Sequence, residues 1–454
     1  MKKSKKIYLD YASSASADSS NSGAIHELGV KEKNKLENAR KNIADILGAH
    51  SDEIVFTSGA TESNNLAIVG VLNKFSELFF EMHTYLPAGK LLCSARQPAQ
   101  GISKNTQKIY PHIVTTNIEH ASVLEVCKFL EKTKQAEVTY VPVETNGIVD
   151  PKKIKKAIKE NTILVSVMYA NNEIGTIQPI MEIAKEIRHF RKTKHLENFR
   201  AGLGPSRGPE KILLGASFLS FPIFHTDATQ AINYLPIKVE KLGVDLMSFN
   251  GAKIYGPKGV GVLYVKRKTP ISPIMFGGNQ EFGLRPGTEN VAGVIALKDA
   301  LQVVEKIKEK EVKRLTKLRD YFIKKLYNLK NQNSKFSRVL GLDPDQLENF
   351  SFDFSINGDL KNRLPNNINI TISKIPSDLL VLELSARGIY ISEKSACKSG
   401  DGKASGVIKA INPNGNENDG SLRFSLGRQT TKADIDYTIK SLFEILKKLK
   451  KWYD

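Results

Sequence analysis

The sequence predicts an α/β protein on a mainly parallel, doubly wound sheet, followed by a second domain. Three observations carry that prediction. Apolar runs of strand length alternate with stretches whose apolar residues recur at helical spacing, the rhythm of repeated βαβ units. Four of these units deliver a polar group just past a strand, at Thr61, His120, Asn172 and Asp227, and in an open parallel sheet the carboxyl ends of the strands line the ligand crevice. From Val291 to about Leu329 the rhythm gives way to one long Lys-, Glu- and Leu-rich helical stretch, which bridges to the second domain.

Taken in order, residues 7–12, IYLDYA, read as a short strand entering a polar turn. Leu36, Ala39, Ile43, Ile46 and Leu47 then fall at helical spacing. EIVFTS is a strand, and GATESNNLAIVGVL opens a helix. A strand, a small-residue turn and a helix start form an anion site, because free backbone N–H groups and the helix dipole face the ligand. Gly59, Ala60 and Thr61 would cradle a phosphate. HIVTTNIEH runs as a strand into His120, and ASVLEVCKFLEKT continues as a helix; alone, His120 also reads as a helix-start or core histidine. Asp150 with Pro151 caps the next helix. ILVSVMY is a buried-type strand ending on NNEIG. Residues 74–111 and 191–223 are long connections without clean periodicity.

The stretch 225–261 follows, with Asp227 ending one apolar run and Lys253 in the turn NGAKIYGPKGVG after another. Residues 331–365 read as a polar loop, and NINITI as a strand. Ser377 caps a helix stopped at Gly388. IYIS leads into the loop EKSACKSGDGKASG, which carries Cys397; SLRFSLG is a strand holding Arg423. Thr431 with Asp434 starts a final amphipathic helix.

Composition narrows the class. Hydrophobic content of 41% and charged content of 25% over 454 residues are globular values. The net charge of +19 is spread over lysine-rich helix faces, and no aromatic RNA-binding signature accompanies it, so direct nucleic-acid binding is not expected. Cys93, Cys127 and Cys397 show neither metal-site spacing nor a disulfide framework; no metal is expected, and a reducing cytoplasm fits. No apolar run is long enough to span a bilayer, and no signal peptide is visible.

Asp227 and Lys253, each just past a strand, suit pyridoxal 5'-phosphate (PLP). The lysine would hold the cofactor as a Schiff base, and the acid would keep the pyridine nitrogen protonated. The other reading is an ordinary surface lysine in a glycine turn.

With Cys397 and Arg423 placed, the motifs YLDYAS, FTSGATESNNLAI, NIEHASVLE, ILVSVMYANNEIGTIQPI, HTDATQ, DLMSFNGAKIYGPKGVGVLYV, RPGTEN, SACKSG and RFSLGRQTT together resemble the cysteine desulfurases of the class V aminotransferase group. The SACKSG loop is similar to the type that feeds iron–sulfur cluster assembly and tRNA thiolation. The resemblance implies PLP fold type I, with a large PLP-binding domain at 13–290 and a small α+β domain formed by residues 1–12 and 291–454. It implies a homodimer and a sulfur-acceptor protein as partner. It also implies the roles. Lys253 would hold PLP and move protons at the substrate α-carbon. Asp227 would pair with the pyridinium nitrogen, Gln230 and Asn172 with the ring's phenolic oxygen, and His120 would stack on the ring as acid–base. Ala60 and Thr61 would bind the phosphate, with Asn250 expected to assist and Thr288 reaching the partner subunit's phosphate. Arg423 and Asn172 would bind L-cysteine, and Cys397 would take its sulfur as a persulfide, releasing L-alanine. Cys397 has Lys394 and Lys398 beside it, the electropositive setting a thiolate needs.

Departures from the family pattern are Ala252 where a histidine is usual, Asn250 where a serine is usual, a shortened stretch after YLD, and the two long connections. Two alternatives stay open: another PLP lyase or transaminase, such as a selenocysteine lyase, and a degenerate basic sulfur carrier.

Overall fold

The structure is a computed structural model and describes residues 20–84, 110–200, 221–330, 353–393, 405–415 and 420–453, together with Leu9, Ala12 and Ser14. Seven strands form the main sheet: β1 (Ile54–Thr57), β2 (His112–Thr116), β3 (Glu137–Val141), β4 (Thr162–Ser166), β5 (Ile223–Asp227), β6 (Leu246–Asn250) and β7 (Gly261–Val265). Their spatial order is β1-β7-β6-β5-β4-β2-β3. The run from β3 through β2, β4 and β5 to β6 is parallel throughout, and β7 lies antiparallel between β6 and β1. Every strand but β7 therefore runs the same way, as the βα rhythm predicts.

Why both faces are covered is readable strand by strand. Phe56, Val114, Val165, Phe224 and Met247 enter one core, while their neighbours Val55, Ile113, Leu164, Ile223 and Leu246 enter the other. Side chains alternate across a strand, and near-continuous apolar runs are what a sheet buried on both sides requires. Helices α1 (Glu27–Leu47), α4 (Pro151–Ala157) and α5 (Ile180–Arg200) supply Leu36, Ile154 and Ile183 to the first core. Helices α2 (Ala60–Thr84) and α3 (Ala121–Lys132) supply Leu66, Ile68 and Val123 to the second.

A second, antiparallel sheet holds β8 (Phe354–Ile356), β9 (Asn367–Ile372) and β10 (Gly420–Ser425), with β9 central. It shares a third core with helices Ser377–Ser385 and Lys432–Tyr453. The helix Val291–Lys330 is 40 residues long, about 60 Å at 1.5 Å per residue. Its first half packs Val294, Leu297 and Leu301 on the main sheet's core, and its second half packs Leu315, Phe322 and Leu326 on the small sheet's.

Local signals behave as their chemistry dictates. The Asp150 carboxylate accepts from Lys152 N–H with Pro151 at the first helical position, and Thr431 and Asp434 form the expected reciprocal cap. Two local expectations differ. Ser377 does not cap its helix: its hydroxyl donates to Glu393 instead, and the helix ends at Ser385, with Gly388 in the left-handed region just beyond (φ 77). The stretch read as a polar loop contains β8, whose three residues are too few to show an alternation. The long connections lose their first residues to extensions of α2 and α5, and the second ends in the first residue of β5; residues 85–109 and 201–220, residues 7, 8, 10 and 11 of the expected first strand, Cys93 and Cys397 lie outside the described residues. Among the described residues no helix is long and apolar enough to cross a membrane.

Candidate active site

Because the strands are parallel, their carboxyl ends gather at one edge of the sheet. β1 hands the chain to Ser58, Gly59 and the start of α2 at Ala60. β2 leads to His120 at the N-cap of α3, β4 to Asn172, β5 ends on Asp227, and β6 leads through Asn250 into the tight turn Gly251–Lys253. Gly261 begins β7 at this same edge, paired with Asn250 and Thr57. A β-carbon there would lie 2.6 Å from the backbone of Gly59, so only glycine lets β7 approach the turn that leads into α2.

Asp227 is buried. Its Oδ1 accepts from Thr229 N–H at 2.9 Å and its Oδ2 from Asn64 Nδ2 at 2.8 Å. His120 Nδ1 accepts from Ser122 N–H at 3.1 Å and lies 2.8 Å from Ser122 Oγ. Behind His120, Glu119 is buried and accepts from the Thr116 hydroxyl at 2.6 Å and from Met168 N–H at 3.0 Å. Burial pushes its carboxyl up to about 8, with the Asp227 charge adding and those hydrogen bonds opposing. His225, two residues before Asp227, places its ring between the Ser166 and Ser248 hydroxyls, and burial lowers it to about 4.

Asn172 and Glu173 connect this edge to the small sheet. Arg423 Nη1, on β10, donates to Asn172 C=O at 3.0 Å. Glu173 C=O accepts from Asn367 and Asn369 on β9, and its carboxylate accepts from the Ser405 hydroxyl. His120, Asn172, Glu173 and Val407 share a cleft. Arg423 makes no ion pair among the described residues, and its Nε is buried without a hydrogen-bond partner. Burial lowers its pKa, opposed by Glu173. A guanidinium so placed is a ready fork for a carboxylate.

Lys253 and Ala252 are exposed in the single chain. Asn250 Oδ1 accepts from Lys253 N–H at 3.1 Å, and Asn233 Nδ2 donates to Lys253 C=O, so the turn that presents the lysine is held from both sides. Thr61 is exposed at the start of α2, beside buried Ala60, and Gln230 is half-buried one turn after Asp227. Thr288 is exposed on a separate loop, tied to α2 where Arg285 Nε donates to Glu62 at 3.0 Å. The sheet edge thus gathers Ala60, Thr61, His120, Asn172, Asp227, Gln230, Asn250 and Lys253, and Arg423 joins them from the second sheet. Thr288 stands apart, and Cys397 lies outside the described residues.

The residues fit a phosphorylated pyridine cofactor. A buried carboxylate, a helix start with main-chain donors and a turn-borne lysine meet at one edge, and Thr229 Oγ1 beside Asp227 is buried with no partner. Sequence reasoning missed Asn64, Glu119, Ser122 and Glu173. Only their positions inside motif stretches could have pointed to them.

The chain is also similar to known proteins. The class-V aminotransferase family model matches residues 1–78, 98–195 and 222–340. A cysteine desulfurase IscS from Dictyoglomus turgidum is 37% identical over 460 residues, covering 98% of this chain and 96% of the relative. A solved NifS-like protein superposes with a TM-score of 0.70 at 30% identity, covering 94% of this chain and 91% of its own. A structure of SspA in complex with cysteine gives a TM-score of 0.60 at 29% identity, covering 90% and 91%.

Proposed function

The chain belongs to the class-V aminotransferase family, in its cysteine desulfurase branch, and from that premise we propose that it takes sulfur from L-cysteine, releasing L-alanine and leaving a persulfide on Cys397. PLP is the cofactor of this enzyme class. When bound, it withdraws electrons from the substrate α-carbon and so acidifies the proton there.

The chain's own residues do the rest. Lys253 anchors the cofactor and moves a proton at the α-carbon. Asp227, buried and held by Thr229 and Asn64, accepts from the pyridine N–H. Ala60, Thr61 and the main-chain donors at the start of α2 take the phosphate, with Asn250 beside them. Gln230 and Asn172 orient the ring's phenolic oxygen, and His120 stacks on the ring and shuttles a proton. Cys397, as thiolate, attacks the substrate sulfur; the S–S bond forms as the carbon–sulfur bond breaks, and the carbon takes a proton. Thr288 serves the partner subunit of a homodimer. We place the large domain at 13–290 and the small one at 1–12 and 291–454, joined by the long helix. A cytoplasmic site and a sulfur-acceptor partner, for iron–sulfur clusters or thionucleotides, complete the proposal.

The observation that carries it is Arg423. Its half-buried guanidinium donates to Asn172 C=O, makes no ion pair among the described residues and keeps its buried Nε without a hydrogen-bond partner; Glu173 acts on it only through its charge, so the fork stays open to a substrate carboxylate. Purified protein given L-cysteine should release equal amounts of alanine and transferable sulfur. Arg423→Lys should raise KM for cysteine at least tenfold, about the 1.4 kcal/mol of one lost charged hydrogen bond. Unchanged KM in that variant, or no alanine from the wild type, would refute the reading.

A further inference from the structure

Asp227 and His120 leave different strands, and a chain of hydrogen bonds joins them. Its centre is Asn64 on α2, which is fully buried. The Asn64 Nδ2 group donates to Asp227 Oδ2 at 2.8 Å and to Ser122 Oγ at 2.8 Å. Ser122 Oγ lies 2.8 Å from His120 Nδ1, to which the Ser122 main-chain N–H also donates at 3.1 Å.

The direction of each bond follows from what each group can do. An amide nitrogen has two hydrogens, and both are used. Turning the Asn64 amide over would set its oxygen against the Asp227 carboxylate, two acceptors face to face. The chosen orientation leaves Asn64 Oδ1 buried with no partner, which folded proteins rarely tolerate; the carboxylate therefore decides the orientation. The Ser122 hydroxyl accepts from Asn64, so its own hydrogen goes to His120 Nδ1. With a hydroxyl and an N–H both aimed at it, Nδ1 is an acceptor, and the neutral ring carries its hydrogen on Nε2.

We propose that Asn64 and Ser122 are positioning residues that transmit the fixed polarity of Asp227 to His120 and hold its imidazole as the Nε2–H tautomer. His120 then meets the reaction with a proton to give at Nε2; in the other tautomer that nitrogen could only take one. This consequence for turnover rests on the desulfurase reading, whereas the tautomer itself does not. The relay also makes the two ends interdependent, because Asn64 keeps its orientation only while Asp227 remains an acceptor.

The test is nitrogen NMR of histidine-labelled holoenzyme, with the His120 signals assigned by their loss in His120→Gln. The wild type should show the Nε2–H form. Ser122→Ala should lower the ratio of Nε2–H to Nδ1–H about two- to tenfold, the equilibrium worth of one neutral hydrogen bond. It should lower kcat by a similar factor with KM for L-cysteine unchanged, and Ser122→Thr, which keeps the hydroxyl, should restore both. Cofactor-stripped protein should show the same tautomer. A Ser122→Ala spectrum identical to wild type overturns the proposal, as does equal damage from Ala and Thr at this position, which would mean packing alone. A tautomer shift in a protein that never turns over L-cysteine supports the relay and removes the desulfurase reading instead.

Discussion

Glu281→Ala should be among the most destabilising single changes in this chain. Arg40 on α1 meets Glu281 in a two-pronged pair, Nη1 to Oε2 at 2.7 Å and Nη2 to Oε1 at 2.8 Å, with the side chains 3% and 2% exposed. Glu281 Oε2 also accepts from Phe56 N–H on β1 at 2.8 Å. Removing one partner of a buried pair costs about 3–5 kcal/mol, because a buried charge is left uncompensated. Orphaning the Phe56 N–H adds about 1–3 kcal/mol. Arg40 keeps Ile54 C=O and half-exposed Glu37, which offsets part of that cost. The net expectation is about 4 kcal/mol. At about 2 °C per kcal/mol for a large domain, the melting temperature of purified protein followed by circular dichroism should fall by about 8 °C. Asp45→Ala breaks a pair with Lys41 whose side chains are 61% and 66% exposed, and should move it by about 1 °C at most. If Glu281→Ala melts within about 2 °C of wild type, the pair is not holding the loop that carries Thr288, and the burial argument fails.

Other expectations follow from buried titrating groups. His225 is held near 4 by burial, so the unfolded chain takes its proton first; the stability it contributes is complete above about pH 6.5 and is lost as pH falls toward 4, at up to about 1.4 kcal/mol per pH unit. Urea midpoints should fall across that window, and less steeply in His225→Gln. Glu119 runs the opposite way: its raised value near 8 means that the folded state keeps a proton the unfolded chain has released, so its contribution is complete below about pH 4.5 and lost as pH rises through 8. Glu119→Gln should therefore gain on wild type between pH 5 and 8, and parallel stability curves would show that Glu119 is ionised in the fold. Burial pushes the Cys127 thiol up to about 12, so iodoacetamide at pH 8 should label it only after denaturant is added; rapid labelling of native protein at Cys127 would contradict its burial.

Much of the fold was legible because the two periodicities differ. Strands such as ILVS are apolar on both faces, and helices such as Glu27–Leu47 repeat Leu36, Ala39 and Ile43 on one side. Boundaries were less legible where a residue had two possible partners. Ser377 has the chemistry of a cap, but Glu393, sixteen residues away, takes its hydroxyl. No local pattern announces that competition. β8 is a strand because β9 offers it an edge, and three residues carry no periodicity of their own.

The site divides along the same line. Groups that stand just past the carboxyl ends of strands could be found from sequence, since strand, turn and helix start each leave a mark: Asp227, His120, Asn172 and Lys253 are of this kind. Groups that fix those side chains could not, because they act across 58 or 163 residues of chain, as Asn64 does toward Ser122 and Asp227. Residues 250 and 252 show how far a side-chain pattern can mislead. The usual histidine is Ala252 and the usual serine is Asn250, which reads as a weakened phosphate site with asparagine compensating. In the structure the Asn250 oxygen caps the turn that presents Lys253, a task a serine hydroxyl could also perform, so only its amide hydrogens are left for a phosphate. The main donors of the proposed cradle are then the backbone N–H groups at the start of α2, fixed by the close approach of Gly261 to Gly59. Those donors do not depend on which side chain stands at 252. Alanine there removes one contact from a cradle made chiefly of main chain, and the pull of the helix dipole on the anion is unchanged.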